Sequence, residues 1–160
     1  MKTYGLISDT HGYVHPDLFT IFEGVEAILH AGDVGGEHVL QELEAIAPVF
    51  AVAGNMDVVS ARMPPMRVVT LDFGVAVITH SHLIPQRDLA GLVKHFKAQD
   101  PRLIVYGHTH IQYCAKKNGI WVVNPGPASR PRFNDIQSVV IASWDEDKDE
   151  LTFDLRRLLQ

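Results

Sequence analysis

Short apolar runs alternate along the chain with stretches of helical spacing, which is the pattern of an α/β domain. Tyr4–Ile7 reads as a first strand, and Pro16 opens a helix reaching about Phe22. Ala27–Ala31 is a second strand. The next helix, from about Gly36 to Ile46, carries Val39, Leu40, Leu43 and Ile46 on one face. Pro48 stops it, and Val49–Ala53 is a third strand. Residues 58–65, holding Pro64-Pro65, read as a surface loop. Arg67–Leu71 and Val75–Thr79 flank a turn at Asp72-Phe73-Gly74. A further helix runs from about Gln86 to Lys97 and ends before Asp100-Pro101. Leu103–Tyr106 is a strand, and Asn118-Gly119 marks a hairpin between Tyr113–Ala115 and Ile120–Val123. A last hairpin pairs Ser138–Trp144 with Leu151–Leu155 around an acidic turn. No repeat or linker interrupts the pattern, so residues 1–160 read as one domain.

Five of these apolar strands end in a residue able to ligate a metal. The ends are Ser8-Asp9-Thr10-His11, Gly32-Asp33, Gly54-Asn55-Met56-Asp57, His80-Ser81-His82 and Gly107-His108-Thr109-His110. Carboxyl ends of strands line the ligand crevice in α/β sheets, so tips sharing one sheet and direction would converge. Residues i and i+2 of extended chain face the same side, which would aim Asp9 with His11, and His108 with His110, into one cavity. Gly32, Gly54 and Gly107 stand just before a candidate ligand and permit close backbone approach. Two carboxylates, several imidazoles and an amide form a mixed oxygen and nitrogen set. Such a set suits Mn, Fe, Zn, Co or Ni better than Ca or Mg, and it is large enough for a pair of ions.

Nine histidines in 160 residues make this the unusual feature of the composition. His15 and His38 read as surface residues, His95 as a helix residue, and His30 as a structural residue within a strand. His82 lies close enough to His80 to face substrate. The net charge of −5, with His neutral, disfavours clamping onto a nucleic-acid backbone, and no stable nucleic-acid partner is expected. A single cysteine, Cys114, makes no internal disulfide, and no apolar run reaches the roughly 18 residues of a membrane span. The expectation is a soluble cytoplasmic protein without membrane association, with a homo-oligomer left open.

At these residues the chain resembles the calcineurin-like metallophosphoesterase superfamily. Its pattern is Asp-x-His, Gly-Asp, Gly-Asn-His-Asp/Glu, His and Gly-His-x-His, each at a strand end. The small capless branch of bacterial and archaeal phosphodiesterases is most similar, and Asn124-Pro125-Gly126 with Pro131-Arg132 also looks like it. The resemblance implies a four-layer α/β/β/α sandwich, two mixed sheets flanked by helices. It implies that Asp9, His11 and His110 hold one metal, that Asp33 bridges to a second, and that Asn55, His80 and His108 complete the second site. The implied cofactors are two divalent transition-metal ions, with Mn favoured. Asp33 and Asn55 would stand at the reacting centre and His82 beside it as candidate catalytic residues, with Asp57 orienting a neighbour from behind.

The implied chemistry is phosphodiester hydrolysis by attack of a metal-bridging hydroxide on a small-molecule or nucleotide phosphoester. Two divalent ions, two carboxylates and that hydroxide leave about one positive charge for an anionic substrate. Arg130 and Arg132, in a stiff proline-rich loop, are candidate phosphate contacts. The chain departs from the commonest pattern at Met56, where many members carry His. A thioether has no proton to give to a leaving group. A phosphomonoesterase or protein phosphatase on the same site is the nearer alternative. A non-catalytic scaffold resembling the retromer subunit of this fold is the more distant one.

Overall fold

The structure, a computed structural model, describes residues 1–129, 132 and 134–159. Its first sheet consists of β1 (Lys2–Ile7), β2 (Ala27–His30), β3 (Val49–Ala51), β9 (Ser138–Asp145) and β10 (Glu150–Arg157), in the order β10-β9-β1-β2-β3. The second consists of β4 (Met66–Leu71), β5 (Gly74–Thr79), β6 (Leu103–Val105), β7 (Tyr113–Lys117) and β8 (Ile120–Asn124), in the order β4-β5-β6-β8-β7. Both are mixed. β1, β2 and β3 run parallel, as do β5, β6 and β8, and the remaining neighbours pair antiparallel.

Strand alternation explains the layers. Tyr4 and Leu6 of β1, Ala76 and Ile78 of β5, and Leu103 and Val105 of β6 point between the sheets into a central core. Ile7 and Ile28 point the other way, where α1 (Leu18–Ile21) and α2 (Glu37–Glu44) supply Leu18, Val39, Leu40 and Leu43. Val77, Ile104 and Val122 face away from the second sheet onto Leu92 of α3 (Leu89–His95). Three cores between four layers make the α/β/β/α sandwich. Phe22 packs so closely over β1 that a Cβ at Gly5 would stand 2.8 Å from its ring.

Every element expected from the periodicity is present, with shifted ends. The first helix keeps only Leu18–Ile21, and Asp17 at its start makes no side-chain cap. The helix expected from Gln86 begins at Leu89 because Asp88 caps it, accepting the Gly91 N–H at 2.8 Å. Strand β3 stops at Ala51, and β10 runs on to Arg157. Among the described residues no helix is long and apolar enough to cross a membrane.

The five ligand-bearing tips do not belong to one sheet. Three follow β1, β2 and β3 of the first sheet, and two follow β5 and β6 of the second. They meet because the two parallel sets present their carboxyl ends along one rim of the sandwich. A hydrogen bond from His80 Nδ1 to the Ala31 carbonyl, 2.9 Å, joins the sheets there.

Candidate metal centre

At three of the five tips the donors themselves stand in left-handed turns rather than in extended form. Asp9 (φ 56°), His11 (φ 47°), Asp33 (φ 52°), His108 (φ 76°) and His110 (φ 61°) all have positive φ. Such values are uncommon outside glycine and persist where the surroundings impose them. Same-side projection of i and i+2 in extended chain therefore does not account for the convergence; tight turns after those strands do. Glycine serves close approach at three tips: an added Cβ at Gly32 would stand 2.8 Å from His80 Nδ1. An added Cβ at Gly54 would collide with Asp33 Oδ1, and one at Gly107 with Ser8 Oγ.

Asp9 is fully buried. Its Oδ2 accepts the Ser8 hydroxyl at 2.6 Å and the His108 N–H at 3.3 Å. Its Oδ1 has no hydrogen-bond partner and faces Nε2 of His110 at 3.4 Å and of His11 and His80 at 3.8 Å. Asp33 Oδ1 accepts the Met56 N–H at 2.9 Å, while Oδ2 lies 3.4 Å from His80 Nε2 and 3.7 Å from His11 Nε2. Asn55 Oδ1 sits 2.9 Å from His80 Nε2 and 3.1 Å from His108 Nδ1. All seven expected ligands are thus brought together.

The donor set suits cations. Asp9, His11 and His110 offer atoms within 4.8 Å of one another, and so do Asp9, Asp33 and His80. His11 Nε2, like Asp9 Oδ1, is buried without a partner. His80 commits its Nδ1–H to Ala31, so in the neutral ring its Nε2 turns a lone pair toward the oxygens of Asn55 and Asp33. Acceptors facing acceptors in a buried place are costly, and a metal cation satisfies all of them at once. Asp9 belongs to both groups, so the shared position expected of Asp33 is open to Asp9 as well.

Titration follows the same geometry. Burial would raise Asp33, but in the metal-free chain a protonated His80 and the Met56 N–H outweigh it and hold the carboxyl at about 2. Asp9 is likewise lowered: burial opposes this, and His110, the His80 charge and the Ser8 hydroxyl prevail. Burial and the neighbouring His80 push His108 and His82 down.

Residues 1–147 match the calcineurin-like phosphoesterase superfamily domain. The chain belongs to that family. A probable metallophosphoesterase of Methanothermobacter thermautotrophicus is 32% identical over 90% of this chain and 87% of its own. An archaeal phosphodiesterase of known structure superposes with a TM-score of 0.74 at 25% identity, covering 96% of this chain and 99% of the other. Vps29 of Chaetomium thermophilum gives a TM-score of 0.80 at 17% identity, covering 98% and 97% respectively, a likeness of fold alone.

Within this calcineurin-like frame a pocket of about 310 Å³ opens over the cluster, lined by His11, Asp33, Asn55, Met56, His108, His110 and Arg132. Arg132 therefore stands where a phosphate contact was expected; Arg130 lies outside the described residues. His82 does not line this pocket. Its ring packs edge-on against His80 at 5.4 Å and tilted against His108 at 6.3 Å.

Asp57 sits behind the site and accepts three backbone N–H groups, from Gly54 and Val34 at 2.9 Å and Gly35 at 3.0 Å. It thereby ties the turn bearing Asp33 to the turn bearing Asn55. His30 accepts the Gly32 N–H on Nδ1 at 3.1 Å, so Nε2–H donates to Thr10 Oγ1 at 2.9 Å, and that hydroxyl donates to the Val34 carbonyl at 2.7 Å. Asn124 props the last tip, donating to Thr109 Oγ1 at 3.0 Å, and Ser129 donates to the Asp9 carbonyl at 2.7 Å.

His15 is buried rather than on the surface, bonded to the Leu159 carbonyl and accepting the Asp17 N–H. Asp135 was not anticipated: its Oδ2 takes a hydrogen bond from His110 Nδ1 at 2.8 Å. Nothing in its spacing, 25 residues beyond His110 in an irregular loop, marks it in the sequence.

Proposed function

We propose that the chain is a phosphodiesterase working with two divalent transition-metal ions, Mn favoured, held by Asp9, His11, Asp33, Asn55, His80, His108 and His110. The observation that carries this is the pair of overlapping donor groups meeting at Asp9 Oδ1 under an open pocket. When bound, the ions supply an acidified water as nucleophile and positive charge facing the phosphoryl oxygens. Asp33 and Asn55, at the pocket floor, are the catalytic candidates among the donors. Arg132, on the pocket wall, offers a permanently charged, forked donor to the phosphate. Met56 lines the wall where a proton donor would serve a leaving group and has none to give. His82 is set back behind His80 and His108, one ring away from the pocket.

That arrangement favours diesters with good leaving groups over monoester dianions, whose looser transition states put more charge on the departing oxygen and ask more of a side-chain acid. The likeness to an archaeal phosphodiesterase supports the same choice. Turnover of bis(p-nitrophenyl) phosphate against p-nitrophenyl phosphate, after chelation and add-back of each metal, tests the reading. Preference for the monoester would favour the phosphatase alternative, and metal binding without turnover of either would favour a scaffold.

A further inference from the structure

We propose that Asp135 is the positioning residue of this site: it sets the ring of His110 for metal binding and, through the same carboxylate oxygen, mounts Arg132 at the pocket. The inference rests on the metal-site reading above and adds to it a residue that no strand tip supplies.

Both partners are nearly covered, with 7% of the His110 side chain and 8% of the Asp135 side chain exposed. An ionised carboxylate only accepts, so the 2.8 Å contact places the proton of His110 on Nδ1. In the neutral ring that ligates a metal, Nε2 is then the lone-pair nitrogen, and it points at Asp9 Oδ1, 3.4 Å away, inside the Asp9–His11–His110 group. A carboxylate behind a ligating imidazole fixes its tautomer and orientation and makes the facing nitrogen a better donor.

The same Oδ2 accepts the Arg132 N–H at 3.1 Å, and the Asp135 N–H returns to the Arg132 carbonyl at 3.1 Å. Two reciprocal bonds tie Arg132 to Asp135 and hold Arg132 where it lines the pocket. A second link holds the residues just after Asp135 to the His110 loop independently. Gln112, two residues past His110, donates to the Ile136 carbonyl at 2.7 Å and to Ser138 Oγ at 2.8 Å. The stretch from Asp135 to Ser138 is thus fastened to a metal-ligand loop at two points, and Asp135 joins the His110 ring to the backbone that carries Arg132.

The test uses three readouts on wild type, D135N and D135A. Nitrogen-15 NMR of labelled histidine in metal-free wild type, read at a pH above the titration of the ring, should show His110 as the Nδ1–H tautomer, and D135A should lose that preference. Mn titration should show one of two ions bound about 10–100-fold more weakly in D135A. D135N, whose amide oxygen still accepts, should lose less and keep the tautomer. Inorganic phosphate should bind the metal-loaded wild type several-fold more tightly than R132A, and that difference should shrink in the D135A background. Unchanged Mn affinity and tautomer in D135A, even with a lowered melting temperature, would overturn the proposal. Should D135A not fold, a D135N protein matching wild type in all three readouts overturns it equally. Failure of wild type to take up Mn would sink the two-metal reading instead, while the histidine spectrum still decides the hold of Asp135 on His110.

Discussion

Met56 gives its backbone N–H to Asp33 Oδ1 at 2.9 Å, while the residue as a whole stands 72% exposed at the pocket. The backbone of this residue serves the carboxylate, and its side chain is free to be exchanged. Met56→His should therefore fold and bind metal as wild type does.

With no side-chain acid at position 56, the wild-type rate should fall steeply as the leaving group becomes a poorer one. General acid catalysis is worth about 10²–10⁴-fold. Met56→His should speed alkyl diesters and monoesters by part of that range and nitrophenyl diesters little. A leaving-group series at saturating Mn checks this, and a flat wild-type series with chemistry rate-limiting would point to another acid, His82 first.

Asp9 Oδ1 belongs to both donor groups, and Asp33 reaches His11 as well as His80. Asp33→Ala and Asp9→Asn should each cut Mn binding from two ions to less than one and reduce turnover to background. Lys94→Ala, exposed on α3, should leave both as they are. Metal analysis after gel filtration, alongside turnover, decides.

Asp57→Ala leaves three backbone N–H groups without their acceptor. Loss of about 2–4 kcal/mol is expected, given the strength of bonds to a charged group and partial rescue by water. Asp57→Asn should lose less, since one oxygen remains. Urea unfolding at neutral pH measures both, and a matching fall in Mn affinity should accompany the loss because Asp33 and Asn55 are freed together.

His30, buried, is held to a pKa of about 4 against 6.5 when unfolded. The unfolded chain therefore binds the extra proton between these values, so stability is complete above about 6.5 and is lost as pH falls toward 4. His30→Gln should flatten that slope. In metal-free protein, raised His80 and His110 contribute in the opposite sense, losing stability as pH rises. Their share is common to both proteins and cancels in the difference between urea midpoints taken across pH 4–7.

The strand and helix pattern and the seven candidate donors are legible because each of those signals is local, whereas the four-layer sandwich follows from the family resemblance. An apolar run that breaks at Gly-Asp, Gly-Asn or Gly-His marks both a strand and the residue at its end. The division of those strands into two sheets is not local: β1 lies between β2 and β9, whose pairing brings Leu6 beside Val140. The left-handed turns at Asp9 and His11 are equally hidden, because neighbouring backbone imposes them. His15 misleads for the same reason, its partner Leu159 being 144 residues away. Asp135 shows how a functional carboxylate goes unseen when it stands on a loop without a flanking apolar run.

The antiparallel pairing of β9 with β1 has a consequence for how the chain is made. Every candidate donor, from Asp9 to His110, and Asp135 behind them, is encoded before Ser138, where β9 begins. A ribosome that has extruded the whole site has not yet supplied the strand that covers the outer edge of β1. Until it does, an apolar central strand stands as an open edge, the kind that recruits other chains. Loss of the last hairpin would leave the metal-binding residues intact and turn the middle of the first sheet into a surface for aggregation.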